Sequence, residues 1–96
     1  MEHKIIAIYC LIDEMCKGLN VKNDIRAKIT NAEILTMAYL AVSVFNGNYR
    51  KAHLYLNPTK LFCPIDYSRF IRRINELHNV VETLFGYLSQ LFASIH

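Results

Sequence analysis

Residues 30–47 read TNAEILTMAYLAVSVFNG and set the architecture of this chain. Thr30 and Glu33 match a capping box, in which the threonine hydroxyl accepts the glutamate backbone N–H and the glutamate carboxylate reaches back to the threonine. The segment that follows is apolar on nearly every side, which predicts a central, buried helix at about residues 31–45. Asn46 and Gly47 end this helix, because glycine suits the left-handed conformation just past a helix C-terminus.

Two further helical patterns lie on either side of this segment. Residues 2–18 carry apolar side chains at alternating steps of three and four, which is the helical period, and a polar connector follows at 19–29. A helix at about residues 48–56 ends before Pro58, because the residue preceding proline is driven out of the helical region. The pattern turns Tyr49, Ala52 and Leu56 inward and Arg50, Lys51 and His53 outward.

The last helix begins near Asp66 and extends almost to the C-terminus. Its apolar residues alternate steps of three and four without interruption, which is typical of a coiled-coil-like seam. They are Tyr67, Phe70, Ile74, Leu77, Val81, Leu84, Leu88, Leu91 and Ile95. The pattern leaves open whether this helix continues past Asn79. The sequence therefore predicts a single all-α domain spanning residues 1–96, with four main helices.

The composition fits one globular domain and excludes several kinds of site. Of the 96 residues, 53% are apolar, and only 3 Gly and 2 Pro interrupt them, which favours long helices. Three cysteines form no CxxC pair and four histidines show no ligand spacing, so we expect reduced thiols in a cytosolic protein and no metal site. We expect no cofactor, no small-molecule ligand and no membrane span, since no run of about 18 uncharged apolar residues exists.

Positive charge is concentrated in the middle of the chain. Residues 49–73 carry six basic side chains and one acidic side chain, a net charge of +5, as expected of a mild electrostatic footprint for a polyanion. At 100° per residue, Arg69, Arg72 and Arg73 fall within an arc of about 100° on the last helix, opposite its apolar side. The alternative is a solvated face whose charge is partly neutralised by local pairs, Asp66 with Arg69 and Arg72 with Glu76.

The two basic helices also suggest a way of meeting DNA. A short helix followed by a second helix that opens with arginines resembles a helix-turn-helix, although the loop of about nine residues is longer than the usual turn. Arg50, Lys51 and Lys60 would then contact phosphates, and Arg69, Arg72 or Arg73 would lie nearer base edges. No paired carboxylates on one face, nucleophile turn, glycine-rich phosphate loop or HExxH motif points to catalysis.

Three segments in order, KITNAEILTMAYLA, GNYRKAHLYL and DYSRFIRRINEL, resemble the N-terminal region of bacterial insertion-sequence transposases of the insertion-sequence 982 family. The resemblance covers most of the chain, to about residue 92. It implies a helical region that recognises the terminal inverted repeats of the element and precedes an Asp/Asp/Glu catalytic domain. The sequence ends at His96, where that domain would begin, so the resemblance suggests a truncated piece that cannot cut or join DNA.

We therefore expect a DNA-binding, non-enzymatic chain in the bacterial cytoplasm, associated with the nucleoid. Its candidate contacts are Arg69, Arg72 and Arg73, supported by Arg50, Lys51 and Lys60, and the sequence predicts that Arg72 and Arg73 can be replaced without unfolding the domain. Two alternatives stay open. One is a protein-interaction module that forms a homodimer through Leu84, Leu88 and Leu91, and the other is a transposase remnant with no selected function.

Overall fold

A computed structural model describes residues 2–19, 29–59 and 61–93 of this chain, with side chains described for 4–19, 29–59 and 61–90. This part of the chain is helical and contains no strand, so the all-α prediction is confirmed. Its elements are α1 (Glu2–Gly18), α2 (Asn31–Ser43), α3 (Tyr49–Leu56), a 3₁₀ turn (Asn57–Thr59), α4 (Tyr67–Glu76) and α5 (His78–Ala93).

Helix α2 is the central element, as its apolar composition predicts. The capping box is formed: the Glu33 backbone N–H donates to Thr30 Oγ1 at 3.2 Å, and the Thr30 N–H donates to Glu33 Oε1 at 3.3 Å. These bonds satisfy donors that the first turn of a helix otherwise leaves unpaired. Nine of the thirteen residues of α2 are buried, so the other helices cover it on several sides.

The apolar side chains collect in two clusters that share α2. One consists of Ile5, Ile29, Ile34, Met37, Ala38, Leu40, Ala41, Ala52, Leu56, Phe62, Phe70 and Ile74. The other consists of Ile12, Cys16, Ala32, Leu35, Leu84 and Leu88. Full burial of one large apolar side chain is worth about 1.5–3 kcal/mol, so these clusters supply the main favourable term for folding.

The turn after α2 contains two residues with positive φ. Asn46 has φ 54° and Gly47 has φ 84°, and the Gly47 N–H donates to the Ala41 carbonyl at 2.8 Å. Glycine adopts this left-handed region without a steric penalty, as the sequence predicts for Gly47. The next helix starts at once, because the side-chain oxygen of Asn48 accepts the Lys51 N–H at 3.0 Å.

The long last helix of the prediction is divided into α4 and α5 at Leu77. This residue has φ −99° and ψ 15°, and its N–H is shared between the carbonyls of Arg73 and Ile74, each at 3.1 Å. No proline or glycine marks the break. The buried residues of α4 belong to the first cluster and those of α5 to the second, and Leu77 and Phe85 pack against both.

The leucines of the predicted dimer seam lie on α5. Leu84 and Leu88 are 0% exposed and pack within the second cluster beside Ile12 and Leu35. A homodimer through these two leucines would require the domain to open, so the structure does not offer them as a surface. The side chain of Leu91 lies outside the described residues. Within the described ranges, no helix is both long enough and apolar enough to cross a membrane.

Candidate nucleic-acid interface

Helices α3 and α4 meet through a group of ring side chains. The ring of Phe70, which is fully buried, lies 6.5 Å from Tyr49 and 5.8 Å from His53, centroid to centroid. His53 also contacts Tyr67 edge-on at 5.6 Å. Ring pairs in such geometries add roughly 0.5–1.5 kcal/mol beyond their buried area. Two of these rings come from each helix, so the ring contacts pack α3 against α4.

The segment between these helices is fixed by hydrogen bonds at Ile65. Its N–H donates to the side-chain oxygen of Asn57 at 3.0 Å, and its carbonyl bonds with His53 Nε2. His53 is therefore half-buried, and the prediction that it points outward is wrong. The sequence pattern missed this role because the partner lies twelve residues away in a loop. Whether the two helices form a helix-turn-helix-like unit stays a prediction.

Arg50 is an exposed cation held in place by an aromatic ring. Its guanidinium carbon lies 4.9 Å from the centroid of Tyr67, within the range of a cation–π contact. This contact joins the first turn of α3 to the first turn of α4. Lys51 is exposed beside it on α3. Two cations therefore stand on the α3 side of the candidate interface.

Arg69 forms the local ion pair that the sequence raised as an alternative. Its Nε lies 3.4 Å from Asp66 Oδ1, and the two side chains are 70% and 61% exposed. Such exposed pairs contribute about 0–1 kcal/mol, because solvent screens them. The pair lowers the net charge of the first turn of α4 but leaves the guanidinium accessible to another anion.

Arg72 is exposed and has no ion pair with any described side chain. The alternative pairing with Glu76 is not formed, although Glu76 is one helical turn away and also exposed. Ser68 and Asn75 are exposed on the same helix, and neither is among the DNA contacts predicted from the sequence. The signal that could have found them is their spacing of four and three residues from Arg72.

Arg73 does not share this exposed face, which corrects the predicted grouping of three arginines. Its side chain turns toward the start of α2, where Nη1 donates to the Ile29 carbonyl at 2.8 Å and Nη2 donates to Asn31 Oδ1 at 2.6 Å. The physical reason is angular. Arg73 lies about 60° from Phe70 around the helix axis, at the border of the buried side, whereas Arg72 lies about 160° away.

A second hydrogen-bonded contact joins the first turn of α2 to the loop before α4. Glu33 uses Oε1 for the capping box, and its Oε2 accepts the Cys63 N–H at 2.9 Å. Cys63 lies just before α4, and Arg73 lies in its last turn. Hydrogen bonds therefore connect both ends of the α4 region to residues 29–33. The exposed arginines Arg69 and Arg72 lie in sequence between these two connections.

The remaining candidates add little to this face. Lys60 lies outside the described residues.

No group of three or more His, Cys, Asp or Glu side chains in the described ranges could hold a metal ion. Cys10, Cys16 and Cys63 are free thiols, and burial raises the pKa of the Cys16 thiol, with a further rise from Asp13.

A cleft of about 530 Å³ lies between α1 and the loop before α4. Its lining residues are Ile5, Ile6, Tyr9, Glu33, Leu61, Phe62, Cys63 and Pro64. None of the candidate basic residues is among them, and both oxygens of the Glu33 carboxylate already accept hydrogen bonds.

Comparisons with models of protein families, with curated proteins and with solved structures find no match to this chain.

Proposed function

We propose that this chain binds double-stranded DNA through the exposed face of α3 and α4. The proposal rests on four exposed cations, Arg50, Lys51, Arg69 and Arg72, on two helices that pack against each other through their ring side chains. Cations on one face attract a polyanion over distances longer than a single contact. The exposed carboxylates of Asp66 and Glu76 oppose this attraction, but they are two against four cations.

DNA suits this face better than a small anion does. None of the four cations lines the cleft between α1 and the loop before α4, whose walls are mainly apolar side chains. A duplex presents a regular row of phosphates, and a protein that neutralises them gains free energy from counterion release. Side chains spread along a surface can each meet a separate phosphate of such a row.

The resemblance to transposases of the insertion-sequence 982 family supports a more specific version of the proposal. The duplex would then carry the terminal inverted repeats of the element, and the chain would act as the N-terminal recognition part without catalytic activity of its own. It would work in the bacterial cytoplasm, at the nucleoid, with no metal or cofactor. Arg73 and Lys60 are left out of the contact set, since Arg73 is bonded to α2 and Lys60 lies outside the described residues.

The test is a binding titration with a fluorescent random-sequence duplex at low salt. The wild-type chain is compared with a variant in which Lys51, Arg69 and Arg72 are all replaced by Ala. We expect the wild type to bind and the triple variant to lose most of its affinity. A variant with Lys4→Ala, an exposed cation on α1, controls for the loss of one positive charge away from α3 and α4. Failure of the wild type to bind any duplex, or equal binding by the triple variant, would contradict the proposal.

Self-association is the second candidate, and exposed apolar side chains favour it. Leu54 and Tyr55 on α3 are 66% and 50% exposed, and Tyr55 contacts the half-buried Phe45 with ring centroids 5.7 Å apart. Such a surface differs from the predicted seam, because Leu84 and Leu88 are buried. Light scattering on the wild type and on Leu54→Ser tests this candidate. A dimer that the substitution dissociates would support self-association, and a monomer at all concentrations would exclude it.

A further inference from the structure

Three polar side chains form one stripe along the outward side of α4. Ser68, Arg72 and Asn75 are spaced by four and three residues, so they fall within an arc of about 60° around the helix axis. All three are exposed, whereas Phe70 on the opposite side is fully buried. The stripe is therefore the part of α4 that stands farthest from the core.

The hydrogen-bonding groups of this stripe are available to a ligand. Within the described ranges, the side chains of Ser68, Arg72 and Asn75 make no hydrogen bond or ion pair. Their neighbours around the helix differ in this respect, because Arg69 is paired with Asp66 and Arg73 is bonded to the start of α2. The helix that carries the stripe is held in place by these bonds and by the ring contacts of Phe70.

The chemistry of the stripe matches the edges of bases. Arginine can donate two hydrogen bonds to guanine O6 and N7, asparagine can pair with adenine N6 and N7, and serine can bond to several bases. From Ser68 to Asn75 the helix rises about 10 Å, which corresponds to about three base pairs at roughly 3.4 Å each. A major groove admits one α-helix, so all three side chains can reach base edges from one docked position.

We infer that α4 is the recognition helix and that Ser68, Arg72 and Asn75 read about three consecutive base pairs in the major groove. This inference rests on the proposed function and adds the residues that determine sequence preference. Arg72 pairs with a guanine and Asn75 pairs with an adenine. Arg50, Lys51 and Arg69 flank the stripe and bind phosphates, which fixes the position of the helix without reading sequence.

The experiment begins with selection of duplexes from a random-sequence library by the wild-type chain. Affinities are then measured for the selected duplex and for each of its single base-pair substitutions. The same set is measured with Arg72→Ala, Asn75→Ala and, as a matched amide control on α5, Gln90→Ala. Thermal unfolding of each variant checks that the domain remains folded, which we expect because all three side chains are exposed.

We expect the wild type to select a guanine and an adenine within about three base pairs and to lose about 5- to 100-fold in affinity when either is changed. Arg72→Ala should remove the preference at the guanine alone, Asn75→Ala should remove it at the adenine alone, and Gln90→Ala should remove neither. Salt-dependent binding without any sequence preference would overturn this inference and leave the proposed function standing. A preference that survives both substitutions would also overturn it, and absence of all binding would overturn the proposed function itself.

Discussion

The guanidinium of Arg73 donates to the side-chain oxygen of Asn31 at 2.6 Å and thereby joins the last turn of α4 to the first turn of α2. The same side chain donates to the Ile29 carbonyl at 2.8 Å. Asn31 is a buried polar residue in the described core, so the contact satisfies a group that is costly to leave unpaired. Arg73 is therefore a structural residue within the helix that carries the candidate DNA contacts.

Replacement of Arg73 by Ala should lower the free energy of unfolding by about 2–3 kcal/mol, because hydrogen bonds from a charged donor are worth about 1.5–3 kcal/mol. Urea denaturation followed by circular dichroism measures the change. Arg72→Ala is the matched control, since it removes the same side chain from the adjacent, exposed position and should change stability by less than about 0.5 kcal/mol. Equal effects of the two substitutions would show that the Arg73 contacts do not stabilise the fold.

Glu33 provides the second tie between the α4 region and α2. Its replacement by Ala removes the capping box and leaves the Cys63 N–H without its carboxylate acceptor. We expect a loss of about 2–4 kcal/mol, from about 1 kcal/mol for the cap and the remainder for the charge-assisted bond. Hydrogen exchange should show faster exchange at the Cys63 amide. Glu82→Ala, at an exposed position on α5, is the control and should leave both quantities unchanged.

The sequence predicts the elements of this fold better than it predicts their contacts. The capping box, the apolar run of α2 and the turn at Gly47 are local signals, and each is found where the sequence places it. The break at Leu77 carries no such signal, because the apolar spacing continues through it. The partners of Arg73 lie 44 and 42 positions away in the sequence, and Cys63 lies 30 positions from Glu33. Helical periodicity contains no information about such distant partners.

Two glycines should respond to alanine with opposite signs. Gly86 is exposed within α5, and a Cβ there would meet nothing within 4 Å, so Gly86→Ala should stabilise the domain by about 1 kcal/mol through helix propensity. Gly47 has φ +84°, so the same substitution there forces a left-handed alanine and should cost about 1–2 kcal/mol. Thermal melts of both variants measure the difference, and a destabilising Gly86→Ala would contradict the position of this residue in a regular helix.

Cys16 should contribute to a fall in the stability of the domain in alkaline solution. Burial raises the pKa of this thiol in the folded state, so folding favours the protonated form. That contribution is fully present below the ordinary thiol pKa of about 8.5 and is lost as the pH rises through the higher value of the folded state. Urea denaturation at a series of pH values should show the decline, and Cys16→Ala should reduce it. An identical decline in the variant would assign the effect to other groups.

The salt dependence of DNA affinity reports how many phosphates the α3 and α4 side chains contact. The logarithm of the association constant for a duplex is measured against the logarithm of salt concentration for the wild type, Lys51→Ala, Arg69→Ala and the control Lys4→Ala. We expect a steep negative slope for the wild type, and each substitution on α3 or α4 should make it shallower by about 0.9, the value of one phosphate contact. The Lys4 control should keep the wild-type slope. Absence of binding, or one common slope for all four proteins, would contradict the assignment of this face to DNA.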